Sequence, residues 1–142
     1  MSPRPASRVL ATVAAAVCLA ALPTAAHAAP PESAQAYTQK CKNIGNGTLC
    51  IDITGSVGQN GVIGVGYWKH WGGAVEVRIG WQNDQGGPRN MFLGHHYLQA
   101  GQDTGTKTSH TYLGAGCVTP ILEVYGSPGG QLIYGDAACV PG

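Results

Sequence analysis

Charge is scarce in this chain: Asp, Glu, Lys and Arg make up only 11% of its 142 residues. Aromatic residues are scarcer, at 7%, with one Phe and three Trp. The shortage of charge excludes partners. Two of the eight basic residues, Arg4 and Arg8, sit in an N-terminal leader, which leaves six against seven acidic ones and a formal net of −1. Those six are scattered, and only Lys40 and Lys42 lie close together. Nucleic acids and anionic membranes are recognised by clustered Lys and Arg, so neither is expected to bind.

Catalytic signatures are also lacking. Past the leader, serine occurs only as Ser33, Ser56, Ser109 and Ser127, none in the G-x-S-x-G setting of an activated nucleophile. Ser109 adjoins His110, but neighbours on a strand point to opposite faces. The carboxylates Asp52, Glu76, Asp84, Asp103, Glu123 and Asp136 could supply a glycosidase pair, yet no spacing selects two of them, and Glu76 is more simply the exposed partner of Arg78. Histidine offers one further option, a metal cluster of His70, one of the adjacent His95 and His96, and His110. Ordinary surface histidines explain these residues as well. No cysteine pair has the C-x2–4-C spacing of a structural zinc site. The expectation is a protein with no catalytic activity, no metal and no cofactor.

What is present begins with export. MSPRPASR is basic, VLATVAAAVCLAAL is an apolar run, and Ala26-His27-Ala28 precedes Ala29. A basic start, a short apolar core and an A-x-A site make a secretory signal peptide, so residues 1–28 are read as a cleaved leader. The run is short for a bilayer span, which takes about 20 residues, and no second candidate follows. No membrane insertion is expected, and the mature chain is placed outside the cell. Its Ala- and Pro-rich leader is of the kind found in high-GC bacteria.

Cysteine usage agrees. Cys18 lies in the leader, and Cys41, Cys50, Cys117 and Cys139 remain. An even number in a small exported domain reads as a disulfide framework. Four cysteines allow three connectivities. Cys41–Cys50 and Cys117–Cys139 are favoured because each pair brackets a stretch that looks like a hairpin.

Residues 29–40, APPESAQAYTQK, carry little apolar periodicity and read as an extended N-terminal arm. The arm is either a remnant of processing or a docking segment, with Tyr37 its one aromatic. From residue 41 to 142, strand signals dominate. TLCIDIT alternates, with Leu49, Ile51 and Ile53 on one face. AVEVRIGW alternates more cleanly, with Val75, Val77, Ile79 and Trp81 opposite Glu76 and Arg78. VIGVGYW, MFLGHHYL, KTSHTYL, TPILEVY and QLIY read as further short strands. GNG, GQNG, WGG, NDQGGP, AGQDTG and GSPGG supply the turns. The 22 Gly and 9 Pro of the whole chain leave no room for ordinary helices. The fold class is all-β: a small antiparallel sandwich or barrel-like domain with two disulfides.

The scarce aromatics concentrate in YWKHWGG, Tyr67 to Gly73. Strand parity splits the stretch into Tyr67, Lys69 and Trp71 on one face and Trp68 and His70 on the other. An unpaired lysine is costly to bury, so Trp68 is expected inward and Tyr67, Lys69 and Trp71 outward. Because Ile63 and Val65 share the parity of Tyr67, that choice requires a β-bulge at one of the intervening glycines. An exposed Tyr/Trp set would anchor a protein partner or stack on a sugar. A core role for both tryptophans, with the lysine snorkelling past them, is the alternative. One loop suggests a proteinase inhibitor: in NDQGGPRN, residues 83–90, Arg89 could enter a trypsin-like pocket. An ordinary glycine-rich turn explains that loop too. The expected partners are other secreted proteins, with carbohydrate as the alternative.

The leader, the arm APPESAQAYTQK, the motif CKNIGNGTLC, the glycine-punctuated β domain and the closing GDAACVPG together resemble the small secreted actinobacterial adaptor proteins of umbrella toxin particles. The resemblance covers most of the mature chain in layout. It implies a non-enzymatic part that links a lectin-bearing, trypsin-like subunit to a large repeat-containing toxin polypeptide, with antagonism between bacteria as its role. It assigns no individual binding residue.

Overall fold

A computed structural model describes residues 35–84, 86–126 and 130–142. The expected leader and residues 29–34 of the expected arm lie outside these. Among the described residues ten strands follow in order: β1 (Tyr37–Asn43), β2 (Gly47–Thr54), β3 (Asn60–Lys69), β4 (Val75–Asn83), β5 (Asn90–Met91), β6 (His96–Leu98), β7 (Lys107–Tyr112), β8 (Cys117–Tyr125), β9 (Gln131–Tyr134) and β10 (Ala138–Cys139). All named pairings are antiparallel, and among the described residues no helix is long and apolar enough to cross a membrane. β1 begins at Tyr37, so the last part of the expected arm is built into a sheet.

One sheet has the order β1-β2-β3-β7. The other is centred on β4 and β8, with β5 and β6 both pairing to β4 and β9 and β10 both pairing to β8. The sheets share one core. Leu49, Ile51 and Ile53 come from β2, Ile63, Val65 and Tyr67 from β3, Val77, Ile79 and Trp81 from β4, and Val118 and Leu122 from β8. Alternate residues of a strand point to opposite faces, and the apolar set of each of these strands supplies its inner face. The arrangement is a β-sandwich.

The third strand overturns part of the sequence reading. β3 pairs with β2 without interruption, from Thr54↔Val62 to Gly47↔Lys69, so the expected bulge is absent. Ile63, Val65, Tyr67 and Lys69 therefore all face inward. Tyr67 and Lys69 are 2% and 1% exposed, whereas Trp68 is 54% exposed. The expected orientation of Trp68, Tyr67 and Lys69 is thus reversed. The reason is energetic. Burying Ile63, Val65 and Tyr67 together outweighs one lysine, since each large apolar side chain gains about 1.5–3 kcal/mol. The lysine also finds a partner, donating from Nζ to the Trp71 carbonyl at 2.8 Å. Trp71 lies past the end of the strand, escapes its parity and is exposed as expected.

Both favoured disulfides form, Cys41–Cys50 and Cys117–Cys139. Each joins residues directly opposed in the ladder, Cys41↔Cys50 between β1 and β2 and Cys117↔Cys139 between β8 and β10. Such bonds persist in oxidising compartments, which is compatible with an extracellular protein. They tie peripheral strands β1 and β10 to their neighbours. Charge guards the edges as well: Lys42 lies 3.6 Å from Asp136, and the rim strands β1 and β7 carry Lys40 and Lys107 on their inward parity.

Candidate binding surface

The aromatic stretch is held by a bracket built from the turn between β1 and β2. Tyr67 donates its hydroxyl to Asn46 Oδ1 at 3.0 Å. The Asn46 carbonyl accepts from the backbone N–H of His70 at 2.9 Å and of Trp71 at 3.3 Å. His70 Nε2 shares a hydrogen bond with Thr48 Oγ1 at 2.8 Å. The turn fits closely beneath: a Cβ at Gly47 would lie 2.6 Å from the Tyr67 ring, so only glycine suits that position. Burial pushes the Tyr67 phenol above its ordinary pKa, and the hydroxyl stays protonated as a donor.

Three rings project from this bracket. The Trp68 and His70 ring centres are 4.9 Å apart, and those of His70 and Trp71 are 5.5 Å apart. Both tryptophans remain more than half exposed. Two indoles tilted against a shared imidazole form an aromatic edge whose orientation is set by packing.

Beside Trp68, the outer face of the β1-β2-β3-β7 sheet is hollowed. The outward residues of β3 are Val62, Gly64, Gly66 and Trp68. Two consecutive glycines on that parity leave the middle of the strand bare. The resulting groove has a volume of about 370 Å³. Asp52 lies over Gly64, and burial raises its carboxyl above the usual carboxylate pKa.

On the outer face of the other sheet, charged and aromatic residues form a paired network. Arg78 binds Glu123 through Nη2 at 2.7 Å and Nε at 2.9 Å. Tyr125 donates to the same carboxylate at 2.8 Å. The Tyr125 ring stacks on His95 at 4.3 Å, and His95 Nδ1 lies 2.8 Å from Glu76. Desolvation would raise the pKa of Glu123, but the hydrogen bonds from Tyr125 and Arg78 and the positive charge of Arg78 bring it below its ordinary value. Both carboxylates are engaged by fixed partners, an arrangement suited to holding strands together. The simple Glu76–Arg78 pairing of the sequence reading is replaced by Arg78–Glu123.

The residues singled out from sequence fall in several places. Trp71 belongs to the aromatic edge. Tyr67 and Lys69 support it from inside and offer no free surface for a partner. Tyr37 is 57% exposed but pairs with Thr54, at the far end of β2 from Thr48. Arg89 is exposed on the connection between β4 and β5. The histidines do not converge: His70 meets Thr48 and His95 meets Glu76, and among the described residues no group of three or more His, Cys, Asp or Glu could hold a metal. The outward Trp68, Asp52 and the Arg78 network were missed. One signal was legible for Trp68, because a face carrying Gly64 and Gly66 has little to bury.

No protein-family model, curated protein or solved structure matches the chain. Its surfaces are the ground for a functional reading.

Proposed function

We propose that this protein is an exported, non-catalytic module that binds other secreted proteins and docks on them through the aromatic edge at Trp71. The observation that carries this reading is the pair of half-exposed tryptophans, Trp68 and Trp71, tilted against the shared His70 ring and fixed by Asn46 and Thr48. Tryptophan is enriched among residues that dominate interface energies. A pre-ordered edge avoids much of the entropy cost that binding otherwise incurs. The leader at residues 1–28 and the two disulfides support export. The layout shared with umbrella-particle adaptors supports a linking role in an extracellular toxin complex.

The test is affinity capture from the culture supernatant of the producing organism, using the tagged mature chain and its Trp71→Ala variant. Wild type is expected to retain discrete secreted proteins at defined stoichiometry. Trp71→Ala should weaken retention at least tenfold, since hot-spot truncations cost about 2 kcal/mol or more. Recovery of nothing, or equal recovery by both proteins, refutes the reading.

A further inference from the structure

The groove beside Trp68 has a chemistry of its own. A Cβ built on Gly64 would meet both Asp52 carboxylate oxygens at 2.5 Å, so that carboxylate closes one end of the bare strand. A Cβ on Gly66 would find its nearest neighbours at 3.5 Å, the Gly105 carbonyl and Thr106 Oγ1. A methyl group over Gly66 would therefore touch the Gly105–Thr106 segment without a clash, and Gly66, Gly105 and Thr106 together line the groove. Trp68 walls the other end, and Gln39, Thr106 and Asp103 line the flanks. Its volume of about 370 Å³ falls within the range of small-molecule sites, roughly 300–1,000 Å³.

The lining includes two carboxylates and no Lys or Arg, which disfavours phosphates, nucleotides and acidic sugars. The carboxylates do not converge on one cation. Asp52 pairs with Gly64 and Asp103 with Trp68, four residues apart along β3, a span of about 14 Å at 3.4 Å per residue. Asp103 is further engaged by the Gly105 N–H at 2.7 Å. What remains is an indole wall, a neutral amide, hydroxyl groups and a carboxylate able to accept from hydroxyls. That combination matches a ligand with an apolar C–H face and a rim of hydroxyls.

We infer that the groove over Gly66, between Trp68 and Asp52, is a binding slot for a short neutral oligosaccharide. The sugar ring stacks on Trp68, and its hydroxyls donate to Asp52 and exchange hydrogen bonds with Gln39 and Thr106. The slot shares Trp68 with the aromatic edge but does not include Trp71, the residue on which protein docking is tested, so the two proposals fail separately.

The experiment is an NMR titration of the isolated mature chain with cellotriose, maltotriose, xylotriose and chitotriose in turn, and with arginine methyl ester. The reporters are the Trp68 indole N–H and the Gly66 amide. At least one saccharide should shift both reporters saturably. Trp68→Ala should weaken that binding tenfold or more, as should Gly66→Ala, while Arg89→Ala leaves it unchanged. The fold tolerates these changes because Trp68 is exposed and a Cβ at Gly66 meets no clash. Four saccharides without effect overturn the inference. So do shifts that bypass both reporters, unchanged binding by both variants, or a response to arginine methyl ester alone, which would mark a site for cationic side chains.

Discussion

The Tyr67 hydroxyl reaches Asn46 Oδ1 at 3.0 Å from inside the sandwich, and the carbonyl of the same asparagine caps His70 and Trp71 outside it. One residue of the first turn thus couples the core to the aromatic edge. Tyr67→Phe should leave the Asn46 acceptor unpaired and cost about 1 kcal/mol. Tyr67→Ala should cost roughly 3–5 kcal/mol, as for other large aromatics removed from a core. Urea denaturation measures both, and a cost below about 0.5 kcal/mol for the alanine variant would indicate a surface tyrosine.

Lys69 should behave as a core residue. Lys69→Met keeps the aliphatic stem and removes the buried charge, so stability should be unchanged or raised. Lys69→Glu should cost about 3 kcal/mol or more, because its carboxylate would face the Trp71 carbonyl, which is itself an acceptor. Similar melting temperatures for the two variants would contradict the burial of this side chain.

Removing either disulfide by paired Cys→Ser substitution should cost about 3 kcal/mol. The chain-entropy argument makes Cys117–Cys139, with a sequence separation of 22, somewhat more stabilising than Cys41–Cys50, with 9. Thermal melts of the two double variants, and of wild type under reductant, test this ordering. A reductant-insensitive wild-type melt would count against both bonds.

Acid should act in opposite directions through Glu123 and Asp52. The folded-state pKa of Glu123 lies below its ordinary 4.5, so its stabilising contribution is present above about 4.5 and is lost as pH falls through the lowered value. The pKa of Asp52 is raised above 3.8 by burial, so its contribution is full below 3.8 and is lost as pH rises through the raised value. Glu123→Gln should therefore destabilise at pH 7, with a deficit that shrinks by pH 3. Asp52→Asn should stabilise at pH 7, with a gain that shrinks by pH 3. Melts at pH 3, 5 and 7 read both, and pH-independent offsets would refute the assignment.

Much of the fold was legible without coordinates. Alternation in TLCIDIT and AVEVRIGW set their inner faces correctly, because each contains a clear apolar majority on one parity and polar residues on the other. The turn residues separated the strands, and cysteines bracketing hairpins pointed to the bonds that form. YWKHW was harder, since it holds large side chains on both parities and a lysine on one. Treating Lys69 as a lone charge omitted the neighbouring residues that decided its orientation.

Sequence by itself determined an all-β chain with four cysteines available for two disulfides, because strand periodicity, glycine turns and cysteine count are local properties; the register across strands decided which cysteines meet. Tertiary structure alone decided that Trp68 faces outward and Lys69 inward. Uninterrupted pairing with β2 gave β3 one phase, and the Trp71 carbonyl came within reach of the Lys69 ammonium. The hollow over Gly66 and the Arg78–Glu123–Tyr125 network likewise depend on residues distant in sequence and adjacent across strands. The register that makes them neighbours is set by the summed burial of both sheets.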